Sequence, residues 1–200
     1  MSDRVMSERA VVFLIGAVQF VNILDFVMVM PLGPDFAAGL GIATSHIGTI
    51  GAAYTAAGCV AGVAGSYFLD RFDRRKALAV AMLGLVVSTA AGGLATGLTS
   101  LLLARALAGL FGGPATSLSM SIIADLIPPE RRGRAMGAVM GAFSVASVVG
   151  VPMALKVARW GDWRLPFFLV AGLGLLLVAG AIFLLPPIRG HLERKQDHTV

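Results

Sequence analysis

Apolar positions along this chain fall into six long blocks, at about residues 10–30, 47–69, 77–98, 100–124, 135–157 and 165–185. Each is close to the ~20 residues that a helix needs to cross a bilayer. Short polar stretches separate them. The pattern predicts an all-α membrane protein: a six-transmembrane-helix bundle over residues 1–188, then a polar cytoplasmic tail at 189–200. Pro31 and Pro34 should end the first helix at the outer surface, Pro128 and Pro129 the fourth, and Pro186 and Pro187 the sixth. Proline lacks the amide donor that a helix interior requires. Glycines four residues apart, Gly58 with Gly62, Gly109 with Gly113, and Gly133 with Gly137 and Gly141, are expected where helix backbones approach closely.

Composition supports the same class. The chain is 57% hydrophobic and 14% charged, with a mean hydropathy of +0.85, against about 25% charged residues in soluble domains. The net charge of +5 forms no basic face, and no nucleic-acid partner is expected. The partners expected are the lipid bilayer, protons and a small-molecule substrate. Twelve of the 16 Lys and Arg residues fall on the N-terminal side of the membrane and three on the other, with Arg105 inside a span. The positive-inside rule then places both termini in the cytoplasm. Arg4 and Arg9 precede the first block as in a signal peptide. That block is longer than a typical signal core, lacks an Ala-x-Ala site and is followed by further spans, so an uncleaved first helix is expected. Cys59 reads as a small packing residue in an apolar run. His46, His191 and His198 form no metal-ligand spacing, and neither a metal nor another cofactor is expected.

The polar residues inside the spans carry the chemistry. Asp25 lies in the first block and Arg105 in the fourth. An ionisable group at the bilayer centre costs about 2.5–3.5 kcal/mol on insertion scales, so such groups pair or face water. Counting from the expected outer helix ends, Asp25 lies about 9 Å deep and Arg105 about 7.5 Å, at 1.5 Å per residue. The two should face each other across the outer half of a cavity. Asp25 is the candidate proton- or cation-responsive site and Arg105 its partner; a static pair that only fixes helix packing is the plainer reading. Gln19, Asn22 and Tyr54 are candidates for the substrate cavity, with Met28, Met30 and Met120 as possible apolar lining. Asn22 and Asp25 are three residues apart and share a helix face.

The stretch SYFLDRFDRRKA, residues 66–77, concentrates charge between two uncharged blocks. Topology accounts for its basic residues but not for Asp70 and Asp73. The loop resembles the signature motif of the major facilitator superfamily, which reads roughly Gly-x-x-x-Asp-Arg-x-Gly-Arg-Arg/Lys between the second and third spans. Asp70, Arg71, Arg74 and Arg75 match; Ser66 stands for the first glycine and Asp73 for the second. LLLARALAGLFGG, with Arg105 and Gly109, is similar to the fourth-span motif of the proton-coupled efflux branch. SVASVVGVPMA resembles its fifth-span antiporter motif, with Gly150 and Pro152 split by Val151. ILDFVMVMPLGPDF resembles a first-span region of the drug and sugar efflux branch.

The resemblance implies a six-helix half of a twelve-span fold, built from two inverted three-helix repeats. The loops DRFDRR and RWGDWR occupy corresponding positions of those repeats. It also implies an ionic latch at Asp70, Arg71, Arg74 and Arg75, with Asp125 and Glu130 as acidic candidates on the same membrane face. A solvated basic loop is the alternative. The function implied is proton-coupled efflux of small amphipathic compounds or sugars across a bacterial inner membrane. Two alternatives stay open: a six-span assembly or regulatory protein, and a fragment of a longer transporter, the tail resembling the start of a central loop cut short. A second six-span half or a second copy would be needed to close a pathway. No enzyme is expected, because no Gly-x-Ser-Gly motif or intramembrane histidine supports a membrane protease.

Overall fold

The computed structural model describes residues 7–69 and 72–185, with the backbone alone at 66–68. Among the described residues the first span is α1 (Glu8–Val27), continued by α2 (Val29–Leu40). The second is α3 (Ile47–Phe68), the third α4 (Arg74–Gly93) and the fourth α5 (Leu98–Leu126). The fifth is broken into α6 (Pro129–Met140), α7 (Ala142–Val145), a π turn (Ala146–Gly150) and α8 (Val151–Trp160). The sixth is α9 (Leu165–Leu184). Six stretches are long and apolar enough to cross a membrane.

The first helix does not end at Pro31 and Pro34. It is interrupted at Met28 and resumes as α2 through both prolines to Leu40. Pro31 falls in the first turn of α2, where an amide would lack an intrahelical partner in any case. The helix stops instead at Gly41, whose φ of 64° is the left-handed conformation that glycine adopts without strain. The fifth span starts earlier than the apolar block suggests, because Pro129 opens α6 and the polar residues up to Arg134 are already helical. Pro186, Pro187 and the tail at 189–200 lie outside the described residues.

The packing obeys an inverted repeat. The fourth span packs on the second and the third; the first packs on the fifth and the sixth; the third and sixth pack on each other. Exchanging spans 1, 2 and 3 for 4, 5 and 6 maps this set of neighbours onto itself. The ends of α4 and α9 follow the same symmetry. Arg75, in the first turn of α4, donates to the Ile182 carbonyl in the last turn of α9. Arg164, just before α9, donates to the Ala95 carbonyl just past α4 (3.0 Å). Carbonyls at a helix end lack intrahelical donors, and each arginine supplies one.

Large apolar residues such as Ile15, Leu32, Phe36, Leu85, Ile122 and Phe167 fill the interior. Others, including Phe13, Val60, Leu176 and Phe183, point outward. Helices apolar on all sides suit a lipid surround. The α3–α5 contact is made backbone to backbone. A Cβ at Gly109 would collide with the Tyr54 carbonyl, and one at Gly113 with the Gly58 carbonyl. Gly62, Gly133 and Gly137 meet nothing within 4 Å, so there the spacing marks an outward face and not a close approach. Cys59 is likewise exposed, on an outward face of α3, and fills no gap in the core.

Candidate functional site

A polar cluster lies buried where α1, α3, α4 and α5 meet. From α1 come Gln19, Asn22 and Asp25, at three-residue spacing on one face and all buried. Arg105 Nη1 donates to Asp25 Oδ1 at 2.9 Å. Its Nη2 donates to the Asp25 backbone carbonyl at 3.0 Å, close to the interruption of the helix at Met28. The two side chains are 1% and 0% exposed. A charge pair removed from water to that degree holds only when well hydrogen-bonded.

Further contacts from α1, α3, α4 and α5 support the pair. The Thr89 hydroxyl of α4 lies 2.9 Å from Asp25 Oδ1 and 2.8 Å from the Leu85 carbonyl. It has one hydrogen, so it serves one acceptor at a time, and the carboxylate is the stronger. The Tyr54 ring sits beneath the Arg105 guanidinium, 4.7 Å from its carbon to the ring centre. Tyr54 also donates its hydroxyl to Asn22 Oδ1 at 2.9 Å. Asn22 Nδ2 in turn donates to the Gly112 carbonyl (3.0 Å) and to Thr116 Oγ1 (2.8 Å). Gly112 makes the room, since a Cβ there would sit 2.7 Å from Asn22 Oδ1. Asp25 Oδ2, Gln19 Oε1 and Arg105 Nε are buried without a hydrogen-bond partner.

Asp25 and Arg105 thus meet directly as a buried pair and do not face each other across an open cavity. With the first helix running on to Leu40, Asp25 lies about 22 Å along it from that end, and Arg105 about 10 Å into α5. Asn22 and Tyr54 belong to the same cluster, and Gln19 lies one turn away. The methionines do not converge: Met28 is fully buried and Met30 is exposed, while Met120 is half-buried. Thr89, Gly112 and Thr116 were not singled out from the sequence; the polar Ser88–Thr89 pair in an otherwise apolar block was the available signal.

The remaining candidates lie apart from this cluster. Gly150 is buried, its Cα side facing Leu24 and Phe20 of α1. Pro152 is exposed in the first turn of α8. Of the latch residues, Asp70 and Arg71 lie outside the described residues. Arg74 Nε lies 2.9 Å from Asp125 Oδ2 at the end of α5, and Arg75 holds the end of α9 as described. Asp73 caps α4, its Oδ1 accepting from the Arg75 amide at 3.0 Å with a φ of −58°. That ordinary φ explains why no glycine is needed there. Glu130 is exposed in the first turn of α6. His46 is exposed, and no group of metal-binding side chains occurs among the described residues.

A six-helix membrane bundle with inverted repeats and a buried acid–base pair defines a class, and comparison names it. The sequence matches the Major Facilitator Superfamily over residues 15–199, and the chain belongs to that family. It is 24% identical over its whole length to multidrug resistance protein 2 of Bacillus subtilis, covering 50% of that protein. It is 30% identical to a chloramphenicol resistance protein of Streptomyces lividans over 72% of this chain and 37% of that one. A purine ribonucleoside efflux pump of Escherichia coli O157:H7 is 25% identical over 95% of this chain and 47% of its own length. The chain spans about half or less of the length of these relatives. Among solved structures, the inward open xylose transporter of E. coli superposes with a TM-score of 0.80 at 19% identity, over 95% of this chain and 51% of that one.

Proposed function

We propose that this bundle is one half of a proton-coupled exporter of small amphipathic compounds or sugars. It would lie in a bacterial inner membrane with both termini in the cytoplasm, and it would work against a second six-span bundle. The observation that carries this is the Asp25–Arg105 contact at 2.9 Å inside the membrane-spanning part. An acid held by an arginine keeps its charge, and an acid parted from it while still shielded from water takes up a proton more readily. Rocking of one bundle against another can alternate those two surroundings. Asn22 and Tyr54 adjoin the pair and would couple substrate contact to it, while Arg74 and Asp125 would act as the latch at the basic end. The relatives are named for resistance to chloramphenicol and to multiple drugs and for purine ribonucleoside efflux, which supports efflux. The second and fifth spans, equivalent in the repeat, are the least covered, at 22% and 28% buried. They are the faces a second bundle would take.

The test is accumulation of radiolabelled chloramphenicol and inosine in inverted membrane vesicles under an imposed proton gradient. Gradient-driven uptake that Asp25→Asn abolishes, at equal protein level, is expected. Uptake unaffected by that substitution would reduce the pair to a packing device. The mass of the native membrane species, against 20.7 kDa for the chain, identifies what the bundle works with.

A further inference from the structure

We propose that Phe26 is the platform on which substrate stacks, and that the compounds taken carry a flat aromatic ring. This rests on the transport reading for one point, that the open side of α1 faces a second bundle. The polar candidates cannot themselves be the platform. Gln19, Asn22, Asp25 and Arg105 are buried, and Tyr54 is only 9% exposed. Phe26 is 38% exposed, and its ring centre lies 5.2 Å from that of Tyr54. The neighbours of α1 show which way it looks. Asn22 and Asp25 reach α5. Val21 faces α9 at Gly174, and Phe20 and Leu24 face the fifth span at Gly150. At ~100° per residue the arc left over lies between α3 and the fifth span, and it carries Ile23, Phe26 and Met30.

The chemistry beside the ring selects the substrate. One turn from Phe26 stand Ile23 and Met30, and one turn from Tyr54 stand Ile50 and Ala57. These side chains offer no hydrogen bond. A sugar laid here would leave its hydroxyls desolvated and unpaired. An aromatic ring instead gains an offset or edge contact with Phe26. Tyr54 makes the platform firm. A Cβ at Gly109 would strike its carbonyl and one at Gly112 its hydroxyl. That hydroxyl donates to Asn22, and the ring lies against the Arg105 guanidinium at 4.7 Å. A load on Phe26 is thus one ring away from the partner of Asp25.

The experiment is equilibrium binding of radiolabelled chloramphenicol, inosine and xylose to membranes holding the native species, with no gradient imposed. Gradient-driven uptake is read in the same vesicles. Chloramphenicol and inosine carry an aromatic ring and xylose carries none, so binding of the first two alone is expected. Phe26→Leu keeps the apolar bulk and should weaken both about two- to twelvefold, the share of a ring–ring contact. Phe26→Tyr keeps the ring and should bind as the unaltered chain does. Xylose bound as tightly as chloramphenicol, or neither aromatic probe bound, overturns the proposal. So does aromatic binding unmoved by Phe26→Leu, or weakened equally by Phe26→Tyr. In that case uptake that persists leaves the transport reading standing. Uptake absent while binding follows the ring at residue 26 supports the platform and overturns the transport reading instead.

Discussion

Removing one charge of the Asp25–Arg105 pair should damage the bundle far more than removing both. The carboxylate is 0% exposed and the guanidinium 1%, so a survivor cannot be hydrated in place. Losing one partner of a buried pair costs about 3–5 kcal/mol. Asp25→Asn keeps an amide oxygen toward Arg105 and spares the bond from Arg105 to the residue-25 carbonyl at 3.0 Å, so its cost should lie near about 3 kcal/mol. Arg105→Gln leaves the carboxylate with the Thr89 hydroxyl at 2.9 Å and should cost nearer ~5 kcal/mol. Combining the two leaves no uncompensated charge, the source of the large single-variant cost, so the double variant should lose much less than the sum of the singles. The coupling energy should therefore exceed about 2 kcal/mol, even after an unfolded chain in detergent finds partners of its own. The assay is a double-mutant cycle, unfolding each purified variant with dodecyl sulfate in mixed micelles and following helicity. Single effects that add to within about 0.5 kcal/mol, or a double variant weaker than either single, would refute the reasoning.

Three further outcomes follow from the packing. Gly109→Ala should destabilise by about 1–3 kcal/mol or more, because its Cβ meets the backbone of α3; Gly62→Ala, facing open space, should be neutral or slightly stabilising in the same melt. Tyr54→Phe removes the donor to Asn22 Oδ1 and should cost about 1–3 kcal/mol, read by thermal unfolding. Asp73→Ala should cost about 0.5–2 kcal/mol and speed amide exchange in the first turn of α4, which its side chain caps.

The spans were legible because a bilayer demands long apolar helices, and nothing else in the chain matches that demand. Asp25 and Arg105 were legible for the converse reason: a charge inside such a helix needs a partner. The distance of Asp25 from its helix end was misjudged because proline reads as a stop, whereas Pro31 sits in a first turn that needs no amide donor. Thr89, Gly112 and Thr116 stayed hidden. A threonine can satisfy its own helix, as the Leu85 carbonyl within reach of Thr89 would allow, and only the fold shows which acceptor lies opposite. Glycine spacing behaved alike: it marked the true contact at Gly109 and Gly113 and an open face at Gly133 and Gly137.

The π turn in the fifth span changes how that span must be counted. Ala142, Ala146, Gly150 and Ala154 are all buried at four-residue steps. In a plain α-helix four residues overshoot a turn by about 40°, so such a row would wind off its face within a few steps. Here the Val151 amide reaches back to the Ala146 carbonyl, and the wider turn holds the row in line. Positions beyond Gly150 are therefore out of phase with those before Ala146 by one residue. A helical wheel drawn through the whole span would misassign half of it, and labelling of single cysteines placed along it would show two regular waves with a slip between them.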